Sequence, residues 1–166
     1  MPFVENKFDF NDYFLLSNIA IVYGIVYFMP KRFSNSTSLP LFIYGSTLAC
    51  MLDNSIGGGI FDLYDIMDGP EYSVMDFVVY FLYAPFGYFF IYFYELFHLK
   101  GMKTVVYIVL FSLLSVAFEW LYLLAGVFHY KDSYLIYYSY CIYLFSESSL
   151  LLFYRFISKT ENDRQS

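Results

Sequence analysis

Five long apolar stretches cover most of this 166-residue chain. A transmembrane helix needs about 17–25 mostly apolar residues, because the hydrocarbon core of a bilayer is about 30 Å thick. Apolar residues make up 60% of the sequence and charged residues 14%, whereas soluble domains have about 45–50% and about 25%. The sequence therefore predicts an all-α integral membrane bundle of five transmembrane helices. The expected spans cover residues 13–29, 39–56, 74–97, 103–128 and 134–157 of a single domain, 1–166, with a polar C-terminal tail at 158–166.

The distribution of Lys and Arg predicts the orientation of these helices, because cytoplasmic loops of membrane proteins are enriched in both residues. With five spans, Lys7 and Lys131 lie on the side of the N-terminus. Seven basic residues lie on the opposite side: Lys31, Arg32, Lys100, Lys103, Arg155, Lys159 and Arg164. We therefore expect the N-terminus outside, the C-terminus in the cytoplasm, and the protein in the cell membrane.

Four acidic residues in or beside the apolar stretches are candidate ligand- or proton-binding residues: Asp53, Asp76, Glu119 and Glu147. A charged group at the centre of a bilayer costs at least about 2.5–3.5 kcal/mol, so such residues usually face the protein interior or a wet cavity. One interpretation is an acid-lined cavity, open to the outside, for a proton, a cation or a small polar ligand. The other is that protonated carboxyl groups hydrogen-bond to Tyr or Ser across helices and only stabilise the bundle.

Small and polar residues recur at steps of three and four in each stretch, which places them on one helix face. In lipid, such faces pack against neighbouring helices. The faces expected inside the bundle are Ser17, Ala20, Gly24 and Tyr27; Ser46, Cys50, Asp53 and Gly57; Asp76, Tyr80, Tyr83 and Gly87; Ser112, Ser115, Glu119, Tyr122 and Gly126; and Tyr140, Tyr143, Glu147 and Tyr154.

The loop between the second and third stretches is rich in acidic residues. Its segment 60–67 places Asp62 and Asp65 three residues apart between apolar residues, which predicts a short helix lying in the membrane interface. The acids Asp62, Asp65, Asp68 and Glu71 do not have the spacing of an EF-hand, so we predict a solvated loop and no metal site.

The sequence contains none of the common catalytic or cofactor motifs. HExxH, GxSxG and the P-loop are all absent, so we expect no enzymatic activity, no catalytic residues and no cofactor. The net charge of −6 argues against nucleic acid as a partner. The expected partners are the lipid bilayer and a further membrane protein or second copies of the chain, as in a homo-oligomer.

Part of the second half of the chain carries a pattern of acidic, aromatic and small residues. It consists of Glu119-Trp120, Gly126, Tyr130, Tyr134 and the pair Tyr138-Ser139. This pattern, together with the segment Tyr83-Ala84-Pro85-Phe86-Gly87, resembles a family of small uncharacterised multi-pass membrane proteins from spore-forming Gram-positive bacteria. The chain departs from the family pattern in having Tyr134 where the family has Trp. The resemblance implies a location in the cell membrane and no particular activity.

Two functions remain open from the sequence. The first is a non-catalytic accessory or assembly protein of the bacterial cell membrane. The alternative is a small proton- or cation-coupled carrier or sensor that uses an acid-lined intramembrane cavity.

Overall fold

The computed structural model describes residues 8–58, 61–68, 73–131 and 134–165, and most of these residues are helical. The described part of the chain contains five α-helices: α1 Phe10–Phe28, α2 Asn35–Leu52, α3 Val74–Leu96, α4 Met102–Leu124 and α5 Ile136–Gln165. A π-helical turn, Asp53–Gly57, continues α2. Two short strands, β1 (Tyr64–Ile66) and β2 (Phe128–Tyr130), form an antiparallel pair. The predicted all-α architecture with five helices is therefore confirmed for the described residues.

The helices begin where side chains can satisfy their free N–H groups. Asp9 caps α1 by accepting a hydrogen bond from the Asn11 N–H (3.0 Å), and Asp12 accepts one in return from the Asp9 N–H (3.0 Å). This capping box moves the start of α1 three residues ahead of the predicted boundary. Ser34 caps α2 by accepting from the Thr37 N–H (3.2 Å), so α2 also begins before residue 39.

Two helix ends also differ from the predicted boundaries. α4 ends at Leu124, because Gly126 adopts φ of 78° and turns the chain into β2. A left-handed glycine just after the last helical residue is a common way to end a helix. α5 continues to Gln165, so much of the polar segment 158–166 is helical.

The short interfacial helix predicted at 60–67 is wrong for the residues that the structure describes. Asp62 and Met67 have φ of 50° and 54°, in the left-handed region that interrupts a helix. The backbone between them pairs with β2 instead, and the Met67 N–H donates to the Val127 carbonyl (2.8 Å). The Lys131 ammonium contacts both Asp62 and Asp65, so these two acids are paired across the strands and are not simply solvated. Glu71 lies outside the described residues.

Helix α3 lies at the centre of the bundle and contacts the other four α-helices. Its closest neighbour is α2, where Gly45 lies against the backbone of α3. A Cβ atom on Gly45 would come within 3.2 Å of the Tyr83 carbonyl oxygen, so a side chain there would require the backbone of α3 to shift by a few tenths of an ångström. Pro85 removes the backbone donor that would normally bind the Phe81 carbonyl, and the Tyr23 hydroxyl of α1 donates to that carbonyl instead (3.1 Å).

The predicted inner faces agree with the structure for α2, α4 and α5 and are wrong for α1. Ser17, Ala20 and Tyr27 are exposed, and nothing approaches the Cα of Gly24 on its open side. α1 packs mainly on α3, through a face that includes Leu15 and Val22. Because α1 packs mainly on one neighbouring helix, it buries only one face. Burying the face with the larger apolar side chains is more favourable, so the small residues remain exposed.

Two of the described helices, α3 and α4, are long and apolar enough to cross a membrane. They differ in their surroundings, since half of the most apolar window of α3 is buried inside the protein but only 17% of that of α4. Helix α4 therefore presents a large apolar surface to its environment. Its exposed side chains include Val105, Val106, Leu110, Leu113, Leu114, Phe118, Trp120, Leu121 and Leu124.

Candidate functional site

Three of the four predicted acidic residues line one cavity inside the bundle. The cavity has a volume of about 160 Å³ and is lined by residues of α2, α3, α4, α5 and the two strands. Asp53 comes from the π-helical turn after α2, Glu119 from α4 and Glu147 from α5. All three are buried, with exposed fractions of 9%, 8% and 6%. The structure thus brings together acids that are far apart in the sequence.

Asp53 is hydrogen-bonded through only one of its carboxyl oxygens. The Tyr64 hydroxyl of β1 donates to Asp53 Oδ1. Oδ2 is buried and has no hydrogen-bond partner among the described residues. The π-helical turn that carries Asp53 is a local widening of the helix, a feature that occurs often at functional sites. A buried carboxyl oxygen without a hydrogen-bond partner destabilises the folded state. A ligand or a proton bound at that oxygen would offset this cost.

Glu119 lies in a network of hydroxyl groups. The Tyr130 hydroxyl and the Ser139 hydroxyl (2.7 Å) both donate to Glu119 Oε1. Tyr134 and Ser139 share a further hydrogen bond of 2.8 Å, and Tyr143 lines the same cavity. Glu119 and Asp53 are held by tyrosines that are direct partners in the strand pair. The two carboxyl groups therefore form one acidic end of the cavity.

Glu147 has a separate pair of partners on the neighbouring helix. The hydroxyl of Ser112 donates to one carboxyl oxygen (2.7 Å), and that of Ser115 donates to the other (2.9 Å). Both serines belong to the predicted polar face of α4, one turn apart. Since both oxygens are satisfied, Glu147 joins α4 to α5 as well as lining the cavity.

Asp76 is placed differently from the other three predicted acids. It does not line the cavity. It lies in the first turn of α3, where it accepts a hydrogen bond from the Ser73 N–H, while Ser73 Oγ accepts from the Asp76 N–H (3.2 Å). This is a capping box, so the position of Asp76 is explained by the start of α3.

Several tyrosine and serine residues of the site were not predicted as binding residues. Tyr64 was expected in a helix, and Tyr130, Tyr134 and Ser139 were noted only for the family resemblance. The sequence does contain one signal for the last of these, since Ser139, Tyr143 and Glu147 follow one another at steps of four on α5. No local pattern indicates Tyr64, because its position depends on pairing between strands distant in the sequence.

The tyrosines of the strands are well suited to donate hydrogen bonds. Burial, followed by the effect of the Asp53 carboxyl group, raises the pKa of Tyr64 above its ordinary value of 10. Burial and its hydrogen bond to Glu119 raise the pKa of Tyr130 in the same way. Both hydroxyls therefore stay protonated over the physiological range of pH. On the outer surface of the sheet, hydrogen bonds to Asp62 and Asp65 raise the pKa of Lys131, so that side chain keeps its positive charge.

The chemical character of the cavity is acidic and apolar. Its described lining residues include no Lys, Arg or His, and most are aromatic or aliphatic. Within the described part of the chain, no three acidic, His or Cys side chains lie close enough together to hold a metal ion. The carboxyl groups of the cavity can accept hydrogen bonds from a ligand and can pair with a positively charged group.

Comparisons of the chain with protein-family models, with curated proteins and with solved structures find no match.

Proposed function

We propose that this chain is a multi-pass protein of the cell membrane that binds a cation in the acid-lined cavity and works as a small carrier or sensor. In this proposal all five helices lie in the bilayer, with the N-terminus outside and the C-terminus in the cytoplasm. The exposed apolar surface of α4 supports the membrane location, because water would not accommodate so large an apolar face on a monomer. The family resemblance agrees with this location. The protein carries out no catalysis of its own.

The convergence of Asp53, Glu119 and Glu147 on one cavity carries the functional part of the proposal. Glu147, which joins two helices, has both carboxyl oxygens hydrogen-bonded. Asp53 differs from Glu147, since it lines the cavity with a buried Oδ2 that has no hydrogen-bond partner among the described residues. The cavity also offers room for a ligand beside the carboxyl groups. These two observations favour a carrier or sensor over a purely structural use of the acids.

The proposal predicts that a cation stabilises the folded protein. A ligand that binds only the native state raises stability by about 2.7 kcal/mol at a concentration of 100 times its Kd. We would measure the midpoint of thermal unfolding in nanodiscs of neutral phosphatidylcholine with Na⁺, K⁺, methylammonium and benzylammonium, each as the chloride salt. At least one of these cations should raise the midpoint for the wild type and not for the double variant Glu119→Gln/Glu147→Gln.

Glu95→Gln is the matched control, because Glu95 is a helical glutamate that does not line the cavity. It should respond to the cations as the wild type does. If no cation shifts the wild-type midpoint at any pH between 5 and 8, the carrier or sensor proposal is wrong. Constant co-purification with another membrane protein, without any response to cations, would instead favour the accessory or assembly role.

A further inference from the structure

We infer that the ligand of the cavity is a lipophilic organic cation, in which an ammonium group is attached to an apolar body about as large as one aromatic ring. This inference rests on the proposed function, because it names the class of ligand that the same site takes. Three properties of the cavity lead to it: the charge at one end, the nature of its walls and its volume.

The ionisable groups that line the cavity are acids and tyrosines, and two of the acids meet at one end. Asp53 and Glu119 lie at one end, where both are held by tyrosines of the paired strands, and the described lining contains no basic side chain. The unpartnered Oδ2 of Asp53 is more than nine-tenths buried and belongs to a residue of the cavity wall. A carboxyl oxygen in such a place is a natural acceptor for an N–H group or a partner for a positive charge. The ammonium group is therefore assigned to this end.

The walls of the cavity do not suit a bare or hydrated metal ion. Calcium takes about six to eight oxygen ligands, and magnesium keeps several of its waters. In the described residues no group of three metal-binding side chains comes together. Most of the lining is instead apolar, and it includes the aromatic residues Phe86, Phe90 and Phe118. An apolar wall next to carboxyl groups fits a ligand that is itself part apolar and part charged.

Aromatic rings also bind cations directly, through the negative face of the ring. Tyr64 and Tyr134 both line the acidic end, with their ring centroids 5.2 Å apart. The Tyr64 hydroxyl donates to Asp53, so both tyrosine side chains lie in the same region of the cavity as that carboxyl group. Cation–π contact of this kind is the usual means of recognising substituted ammonium groups.

The volume limits the apolar part of the ligand. A cavity of about 150 Å³ lined by apolar side chains binds benzene in an engineered protein. The present cavity, at about 160 Å³, is of similar size. One ring, or a branched alkyl group of the same bulk, therefore fits beside the ammonium group. Both oxygens of Glu147 are already hydrogen-bonded to serines, so a second charge on the ligand would have no comparable partner there.

The test compares probes that differ in one property at a time. Benzylammonium carries both features, benzyl alcohol has the ring without the charge, and methylammonium has the charge without the ring. Binding would be measured by isothermal titration calorimetry to the full chain in phosphatidylcholine nanodiscs, with empty nanodiscs subtracted to remove partitioning into lipid. We expect benzylammonium to bind at least about tenfold more tightly than either of the other two probes.

The position of the charge is tested with Asp53→Asn, whose amide oxygen can still accept the hydrogen bond from Tyr64. This variant should lose the preference for benzylammonium over benzyl alcohol, while Glu95→Gln keeps it. If Asp53→Asn does not fold, as judged by circular dichroism, Glu119→Gln replaces it and should weaken the preference in the same way. An unchanged preference in the folded variant overturns the assignment.

The outcomes also separate this inference from the proposed function. If K⁺ or methylammonium binds and benzylammonium binds no more tightly, the ligand class is wrong and the proposed function stands. Benzyl alcohol binding as tightly as benzylammonium would show that the cavity does not recognise charge, and it would overturn the inference. If none of the cations binds, both the inference and the proposed function fail.

Discussion

Asp53 and Asp76 are both buried aspartates beside a helix end, yet their partners give them different roles. Asp76 follows Ser73 by three residues and forms a capping box with it at the start of α3. Asp53 follows the last turn of α2 and is held by Tyr64 from a strand. Cap residues act on the stability of one helix, whereas a cavity residue acts on what the cavity binds.

The capping role of Ser73 leads to a prediction on stability. Replacing an N-cap Ser by Ala costs about 0.5–2 kcal/mol, because the first N–H groups of the helix lose their acceptor. Ser73→Ala should therefore lower the midpoint of thermal unfolding in detergent, measured by circular dichroism. Ser17→Ala on the exposed face of α1 is the control and should stay within about 0.5 kcal/mol of the wild type. Equal effects of the two substitutions would contradict the capping role.

For single residues, the sequence indicates which side chains are unusual more reliably than it indicates what they contact. The periodicity of α4 and α5 correctly places Ser112, Ser115, Glu119 and Glu147 on inward faces. For Asp76 the same periodicity is misleading, since an inward acid in a first helical turn is equally consistent with a cap. The Ser-x-x-Asp spacing before an apolar run is the signal that distinguishes the two.

Helices α2 and α3 pack more closely than any other pair, and two glycines make this possible. Gly45 lies against the Tyr83 carbonyl, and the Cα of Gly45 would be only 3.7 Å from a Cβ on Gly87. Close approach of backbones through small residues is a general means of joining helices in a membrane. Residues of both helices, including Gly45 and Gly87, also line the cavity.

A side chain at Gly45 should therefore separate the two helices. Overpacking of a tight contact costs about 1–3 kcal/mol, so Gly45→Val should lower stability by that amount in a thermal or denaturant unfolding experiment. Gly24→Val is the matched control, since nothing lies within 4 Å of a Cβ there. The control should be nearly neutral. A loss of stability in Gly24→Val as large as that in Gly45→Val would show that the effect comes from valine in a helix and not from the contact.

Sequence patterns predict the helices of this protein but not its strands. Long apolar runs predict five helices, and capping residues account for the revised starts of α1 and α2. The strands of three residues are too short to show a periodicity of their own, and their pairing joins segments on either side of two helices. The inner face of α1 depends on how many neighbours it has, which composition does not reveal.

For the whole molecule, the environment of α4 decides between a bundle in lipid and a bundle in water. A helix with little of its apolar window buried is stable in a bilayer without further cover. In water the same surface would need a partner. The proposed five-span topology depends on α1, α2 and α5 sharing the bilayer with the two most apolar helices.

A charge in the middle of the exposed face of α4 tests this point. On the insertion scale, Lys at a helix centre costs about 2.5–3.5 kcal/mol. Leu113→Lys should therefore reduce the fraction of the chain that resists alkaline carbonate extraction from membranes. Met102→Lys at the start of the helix is also an exposed site and should have little effect, because Lys there reaches the interface. A more soluble and fully folded Leu113→Lys variant would rule out a membrane location for α4.

The pairing of the two strands has one consequence for the interior. Tyr64 and Tyr130 are direct partners in the sheet, and one donates to Asp53 while the other donates to Glu119. A slip of the pairing by a single residue would turn one strand's side chains to the opposite face. The pairing of these two strands thus fixes the positions of both tyrosine hydroxyls, so a change in the pairing would alter the contacts of Asp53 and Glu119 together.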